Sequence, residues 1–302
     1  LRRDIRSWLS PPDPWKNYNI ARELRLSGTG AWFLRGDTLS EWKACGPKCL
    51  LWIHGKRQLL PSTSLFAEND GFPLSQRARE RACFGMFTLC FLHIEKLTVL
   101  ASSTIIEDIE DMRKCGLASL AMFYCDFRED QKKDFRGLLS SVLFQLSDQS
   151  DSYYDILSNF YSTHRDGGQS PGDDELARCL QDILELPGQA PVYLIVDALD
   201  ECPNTSIMPS PREKLLKLVV HLMELQLTNL RICVTSRPET DIKSVLEPLT
   251  CHSVSIHDES GQMEDIENYI RSVVNTDSRN RRWKAEDKQL VIDVLTARAD
   301  GM

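Results

Sequence analysis

Pro191-Val192-Tyr193-Leu194-Ile195-Val196-Asp197-Ala198-Leu199-Asp200-Glu201 is the stretch on which the reading of this chain turns. Five apolar residues in a row, rich in β-branched and aromatic types, make a strand buried on both faces. The run ends on a carboxylate, and two more acids follow within four residues. A second run, Leu230 to Ser236, ends on Arg237 and Pro238, and a third, Cys49 to His54, stops at Gly55. Ser119 to Phe127 reads as a fourth strand, and Ser253 to His257 as one more. Amphipathic helices lie between them. Leu100, Ile105, Ile106, Ile109 and Met112 form one apolar stripe, and Phe135, Leu138, Leu139, Val142, Leu143 and Leu146 another. Further helices are expected over residues 174–186 and 212–227. Strands that alternate with helices of this length require crossover connections and a parallel sheet. The expected fold is therefore α/β and three-layered, with a mainly parallel sheet. The strands at 191–197 and 230–236 are expected to flank the one at 49–54.

Outward from this core the chain changes character. Residues 1–47 are polar but carry Trp8, Trp15, Trp32 and Trp42, and read as a helical lead-in arm that docks aromatics on the adjoining domain. Pro11, Pro12 and Pro14 forbid a helix there, and a short helix is expected from Asn17 to Leu26. Residues 48–259 form the α/β core. Within it, residues 57–95 have no sustained period of 2 or 3.6, mix turn formers with Arg77, Arg79 and Arg81, and are expected to be the least well packed part of the interior. Residues 260–302 read as the start of a helical region, with segments near 263–274 and 285–298.

The net charge of −8 argues against nucleic acid or an anionic membrane as partner, since both require positive potential. No run of 18 apolar residues suggests a membrane span. The chain has ten cysteines, several inside apolar runs, no CxxC pair, and an opening of Leu1-Arg2-Arg3-Asp4 that is not a secretory leader. A reducing, cytoplasmic compartment is expected. Cys45 and Cys49 are four apart, and Cys251 precedes His252 and His257, but neither set has a second ligand pair at a zinc-site distance. These cysteines therefore read as core or surface residues.

In open parallel sheets ligands bind beyond the carboxyl ends of the strands. Three such ends here carry suggestive groups: Gly55, the acids Asp197, Asp200 and Glu201, and Thr235-Ser236-Arg237. An apolar strand delivering Asp197 has the form of a Walker B strand, whose carboxylate serves a phosphate-bridging Mg²⁺. Asp200 or Glu201 is placed to polarise a water, and Arg237 to sense a terminal phosphate through its guanidinium fork. The alternative is a strand capped by an acidic turn, with Arg237 an ordinary ion-pairing residue.

Taken in order, the motifs resemble the NACHT-containing proteins common in fungi, with a nephrocystin-type N-terminal domain. These belong to the STAND class of signalling P-loop NTPases. The resemblance rests on Trp8-Leu9-Ser10-Pro11-Pro12-Asp13-Pro14, the segment Gly28 to Leu34, Leu51-Trp52-Ile53-His54-Gly55, Ser103 to Ile109, Ile195 to Cys202, Val234 to Pro238 and Ala297 to Met302. It implies ATP or GTP with Mg²⁺ as cofactor, nucleotide and other proteins as partners, self-association included, and a nucleotide-dependent switch as function. It also implies that more helical bundle and repeats follow Met302 in the family, so that the chain is a truncated form.

The departure is in the phosphate-binding loop. The pattern GxxxxGKS/T supplies backbone amides, a lysine and a hydroxyl for phosphate and metal. Gly55 matches the first glycine, Lys96 is the nearest match to the lysine, and Thr98 to the hydroxyl that would join Asp197 at the metal. Glu95 stands where the second glycine belongs, adding a Cβ and a negative charge beside the phosphates. Either residues 57–95 are translated intervening sequence, or the chain is a degenerate paralogue. In both cases nucleotide binding and any NTPase activity are expected to be impaired. The competing function is a non-catalytic interaction scaffold, with the carboxylates as structural remnants.

Overall fold

The computed structural model describes residues 1–24, 34, 36–55, 97–205, 209–256, 260–276, 280–281 and 283–300. Its centre is a five-stranded, all-parallel sheet: β1 (Cys49–His54), β2 (Ser119–Tyr124), β3 (Val192–Asp197), β4 (Leu230–Ser236) and β5 (His252–Ser255). The order across the sheet is β2-β3-β4-β1-β5. The chain is thus α/β, as the strand and helix alternation requires. One expectation is corrected. β1 is flanked by β4 and β5, and β3 lies one strand further out, paired with β2 and β4. Apolar runs of equal strength identify buried strands but carry no information about which neighbour each takes. The short β5, with only Val254 buried, is the strand that fills the second place beside β1.

Side chains alternate between two cores. Leu50, Trp52, Ala121, Phe123, Leu194, Val196, Ile232 and Val234 point to one face, where they meet α5 (Phe135–Ser147), α7 (Asp173–Leu184) and α8 (Pro211–Glu224). Leu51, Ile53, Leu120, Met122, Tyr193, Ile195 and Cys233 point to the other, against Ile105, Ile106 and Ile109 of α4 (Leu97–Lys114). Period-2 alternation with both faces apolar is what makes each strand an uninterrupted hydrophobic run in the sequence.

Helix starts follow local chemistry. Ser210 accepts a hydrogen bond from the Glu213 amide at 3.2 Å, and Pro211 occupies the first turn of α8, where its missing N–H costs nothing. At the β2 edge, the amide groups of Gln145 and Gln149 in α5 exchange hydrogen bonds with the main chain of Met122 and Leu120 (2.6–3.1 Å). They satisfy backbone groups that a further strand would otherwise claim.

The first 44 residues include α1 (Arg2–Leu9), α2 (Trp15–Leu24) and α3 (Asp37–Ala44). Ile5 and Leu9 join the first core; Tyr18, Leu39 and Trp42 join the second. Trp8 packs among Phe160, Tyr161 and His164, and Trp42, fully buried, donates its indole N–H to the Ile232 carbonyl at 3.2 Å. Between α5 and α7 stands α6 (Asp151–Thr163), a helix the sequence does not announce although Tyr153, Leu157 and Tyr161 keep its i, i+4, i+8 spacing. After β4 come α9 (Thr240–Leu246) and, beyond β5, α10 (Ser260–Thr276) and α11 (Ala285–Asp300), which pack on each other. No helix among the described residues is long and apolar enough to cross a membrane. Residues 56–96, and with them Lys96 and the expected poor packing of 57–95, lie outside the described residues.

Candidate functional site at the carboxyl ends of β1, β3 and β4

Parallel pairing carries Gly55, Asp197 and Arg237 to the same end of the sheet. Asp197 closes β3 and is 1 % exposed. Its carboxylate accepts a hydrogen bond from the Thr235 hydroxyl at 2.7 Å, across the β3–β4 boundary. A second hydroxyl, that of Ser102, also favours its ionised form. Ser102 lies on α4 one turn beyond Thr98, so the helix that follows β1 in sequence is tied to the acidic end of β3. Thr235 in turn accepts the Ala198 N–H at 2.8 Å. Ala198 has left-handed backbone (φ 54°, ψ 48°), a conformation uncommon for a residue with a Cβ, and this hydrogen bond holds it. The chain turns there so that the next three residues fold back across the strand end.

The two following acids differ. The Asp200 carboxylate accepts the Arg237 backbone N–H at 2.9 Å and pairs with its Nε at 3.5 Å. Its carbonyl, with that of Cys202, receives the guanidinium of Arg212, which also pairs with Glu239 at 2.6 Å and Asp241 at 3.2 Å. Arg212, buried at the start of α8, reads in the sequence only as the beginning of a helix. Glu201 is half-buried, and its pKa is pushed up to about 7 by burial first, then by Asp126 and Asp200. Asp126, just after β2, is held ionised by a bidentate contact with Arg128 at 2.8 Å. At β1, Trp52 donates to the Ser236 hydroxyl at 2.9 Å, and His54 shares a hydrogen bond with Ser253 at 3.0 Å.

Asp197, Asp200, Glu201, Arg237 and the buried Gly55 therefore meet at one end of the sheet, while Thr98 is placed in α4 by its backbone alone. Sequence reasoning does not find Ser102, Asp126 or Arg212. Asp126 and Asp200 are paired with Arg128 and Arg237, while Asp197 and Glu201 offer carboxylate oxygens of their own. Their oxygen donors suit a hard divalent ion such as Mg²⁺, which takes one or two carboxylates and completes its shell with phosphate and water.

Residues 98–237 match the model of the family described as Nephrocystin 3, N-terminal. That stretch is similar to the family. It is a little under half of the chain, and it runs from the first turn of α4 to the arginine after β4. Thr98, Asp197, Asp200, Glu201 and Arg237 fall inside it; Gly55 and Lys96 fall outside. No curated protein matches the chain.

Burial raises the Asp197 pKa from its ordinary 3.8 to about 6, against the pull of Thr235 and Ser102. A carboxyl raised in the folded state costs nothing below its unfolded pKa. The cost develops between about pH 4 and 6 and is complete above. The shift corresponds to roughly 3 kcal/mol at neutral pH. Asp197→Asn, which keeps an acceptor for Thr235, is therefore expected to stabilise the chain at pH 7 by about 1–3 kcal/mol and to change little at pH 4. Urea midpoints at the two pH values measure this, and a variant less stable than the parent at pH 7 contradicts it.

Proposed function

We propose that this chain is the nucleotide-handling core of a NACHT-type, STAND-class switch, with its metal-side groups in place and its phosphate loop interrupted. The observation that carries the reading is Asp197. It is a buried carboxylate kept at the end of a central parallel strand at a cost in stability, bridged by hydroxyls to β4 and to the helix that follows β1. The sheet order, with β4 between the glycine-ended strand and the acid-ended strand, and the family match over 98–237 support it.

In this reading Asp197 and Thr98 would hold Mg²⁺, which would supply charge neutralisation for the phosphates. Glu201, with a pKa near neutrality, is the better of the two acids for orienting a water, because Asp200 is engaged by Arg237. Arg237, 42 % exposed at its side chain, reaches a terminal phosphate by leaving Asp200. A nucleotide bound there stabilises one arrangement of the α/β core and the helices after β5, and other proteins, self-association included, read that arrangement. A cytoplasmic setting belongs to the same reading, supported by eight free cysteines among the described residues. A non-catalytic scaffold is the second reading. It is favoured by the Asp200–Arg237 pair, which satisfies both side chains without a ligand.

The sequence of residues 56–97 lacks the glycine–lysine–hydroxyl series that cradles phosphates. Calorimetric titration of the chain with Mg·ATP and Mg·GTP is therefore expected to give dissociation constants above roughly 100 μM, less than about 5.5 kcal/mol of binding. Binding at micromolar concentration overturns the reading of an interrupted loop.

A further inference from the structure

At the opposite end of the sheet from Asp197 the fold gathers three cysteines. Cys49 opens β1; Cys251 immediately precedes β5, its amide bonded to the Leu50 carbonyl at 3.1 Å; Cys45 follows the last turn of α3. Lys48, in left-handed backbone at φ 64°, helps turn the chain between α3 and β1. The Cys49 thiol donates to the Trp42 carbonyl at 3.2 Å, and Cys45 returns its amide to the same carbonyl at 3.3 Å. The three sulfurs lie within 4.8 Å of one another, with Cys49 and Cys251 at 3.9 Å, and among the described residues no other group of three or more acidic, histidine or cysteine ligands is so close. One by one they are core or surface residues, and the fold sets their sulfurs side by side. Cys251 stands 202 residues beyond Cys49 in the chain, and the β1–β5 pairing brings it to the other two.

The geometry points to a metal site: Cys45, Cys49 and Cys251 form a three-thiolate clip for a zinc-class soft divalent cation, with the fourth position open to solvent. A tetrahedral ion with metal–sulfur bonds of about 2.3 Å sets its sulfurs about 3.8 Å apart, close to the spacing of Cys49 and Cys251. A disulfide would need about 2.05 Å. Cys49 is buried, Cys45 partly exposed and Cys251 exposed, so an ion has a route in from solvent. The thiols release their protons to solvent as the ion binds. Such a clip joins the α3–β1 connection to β5, the edge strand held to the sheet by β1 alone. It lies the length of β1, roughly 16 Å, from the carboxyl end of the sheet, and so is separate from the nucleotide site.

The test titrates the full chain, reduced with a non-thiol phosphine, with Co²⁺ and then Zn²⁺. The expected result is a thiolate-to-cobalt charge-transfer band with tetrahedral d–d absorption, saturating at one equivalent and bleached by Zn²⁺. Cys45→Ser and Cys251→Ser each weaken Co²⁺ binding at least about tenfold, and Cys115→Ser, on the exposed turn after α4, leaves it unchanged. Alkylation mapped by mass spectrometry on the unsubstituted chain gives a second readout that requires no variant to fold: Zn²⁺ protects Cys45, Cys49 and Cys251 selectively. The absence of the charge-transfer band, its survival in both serine variants, or alkylation at these three cysteines that Zn²⁺ does not slow overturns the proposal. So does a Cys49–Cys251 disulfide in a chain that binds no Co²⁺ when reduced, which would make the pair a redox couple.

Discussion

Replacing the interrupted segment by a GxxxxGKS/T loop that joins Gly55 directly to α4 is expected to restore Mg²⁺-dependent nucleotide binding, and Asp197→Ala in that repaired chain to remove most of it. The loop supplies the amides and lysine that hold phosphates, and the strand-end carboxylate holds the metal, so each is needed and neither replaces the other. Loss of the carboxylate is expected to cost about 2 kcal/mol or more, a fall in affinity of roughly thirtyfold. Asp197→Ala leaves the buried Thr235 hydroxyl without its acceptor, so Asp197→Asn, which keeps one, is measured beside it and both variants are checked for folding. Lost affinity then reports the site rather than unfolding. Equal affinity with and without Asp197 contradicts its assignment to the metal.

Arg212→Met is expected to lower the unfolding free energy by about 3 kcal/mol, the largest effect of any single polar residue near the site. The guanidinium is 8 % exposed and has four partners: the carbonyls of Asp200 and Cys202 and the carboxylates of Glu239 and Asp241. Methionine keeps the aliphatic volume but leaves two carbonyls without a donor, and each buried unsatisfied group costs about 1–3 kcal/mol. The carboxylates, partly solvated, lose less. Arg212→Lys is expected to recover less than half, since one ammonium does not reproduce a planar fork serving carbonyls and carboxylates at once. Denaturant unfolding measures both variants. The Asp200 turn is the element released, so the Asp200–Arg237 pair loosens with it. A cost below about 1 kcal/mol for Arg212→Met, within the range of an ordinary surface substitution, rules out Arg212 as the anchor of that turn.

Much of this architecture is legible along the chain. Strands buried on both faces read as unbroken apolar runs, and β1, β3 and β4 are found within a residue of their expected bounds. β2 ends at Tyr124, three residues short of the expected Phe127: Cys125 still gives its amide to the Asp197 carbonyl, but the Asp126 amide bonds to Lys132 instead. Strand order is a different matter. β3 pairs with β4 instead of β1 through crossover packing, which no local pattern encodes. The helix over Asp151–Thr163 is hard to read because Tyr153, Leu157 and Tyr161 are diluted by serine, asparagine and aspartate.

At the site, Asp197 and Thr235 are legible because strand ends are where parallel sheets place ligand groups. Ser102 is not, since its role depends on α4 lying against the end of β3. Arg212 is not, because its partners come from two separate segments, the turn at Asp200 and Cys202 and the stretch at Glu239 and Asp241. The Cys45–Cys49 spacing is visible, yet its third member stands 202 residues beyond Cys49 and becomes a neighbour only when β5 pairs with β1.

The reading of the carboxyl end of this sheet as a metal-dependent phosphate site faces its sharpest test in calorimetry of the repaired chain with ATP and with GTP, each in Mg²⁺ and again in excess chelator. Micromolar binding of at least one nucleotide in Mg²⁺ is expected, with a loss of at least about tenfold in chelator. No binding in Mg²⁺, or binding of equal strength in chelator, would contradict it.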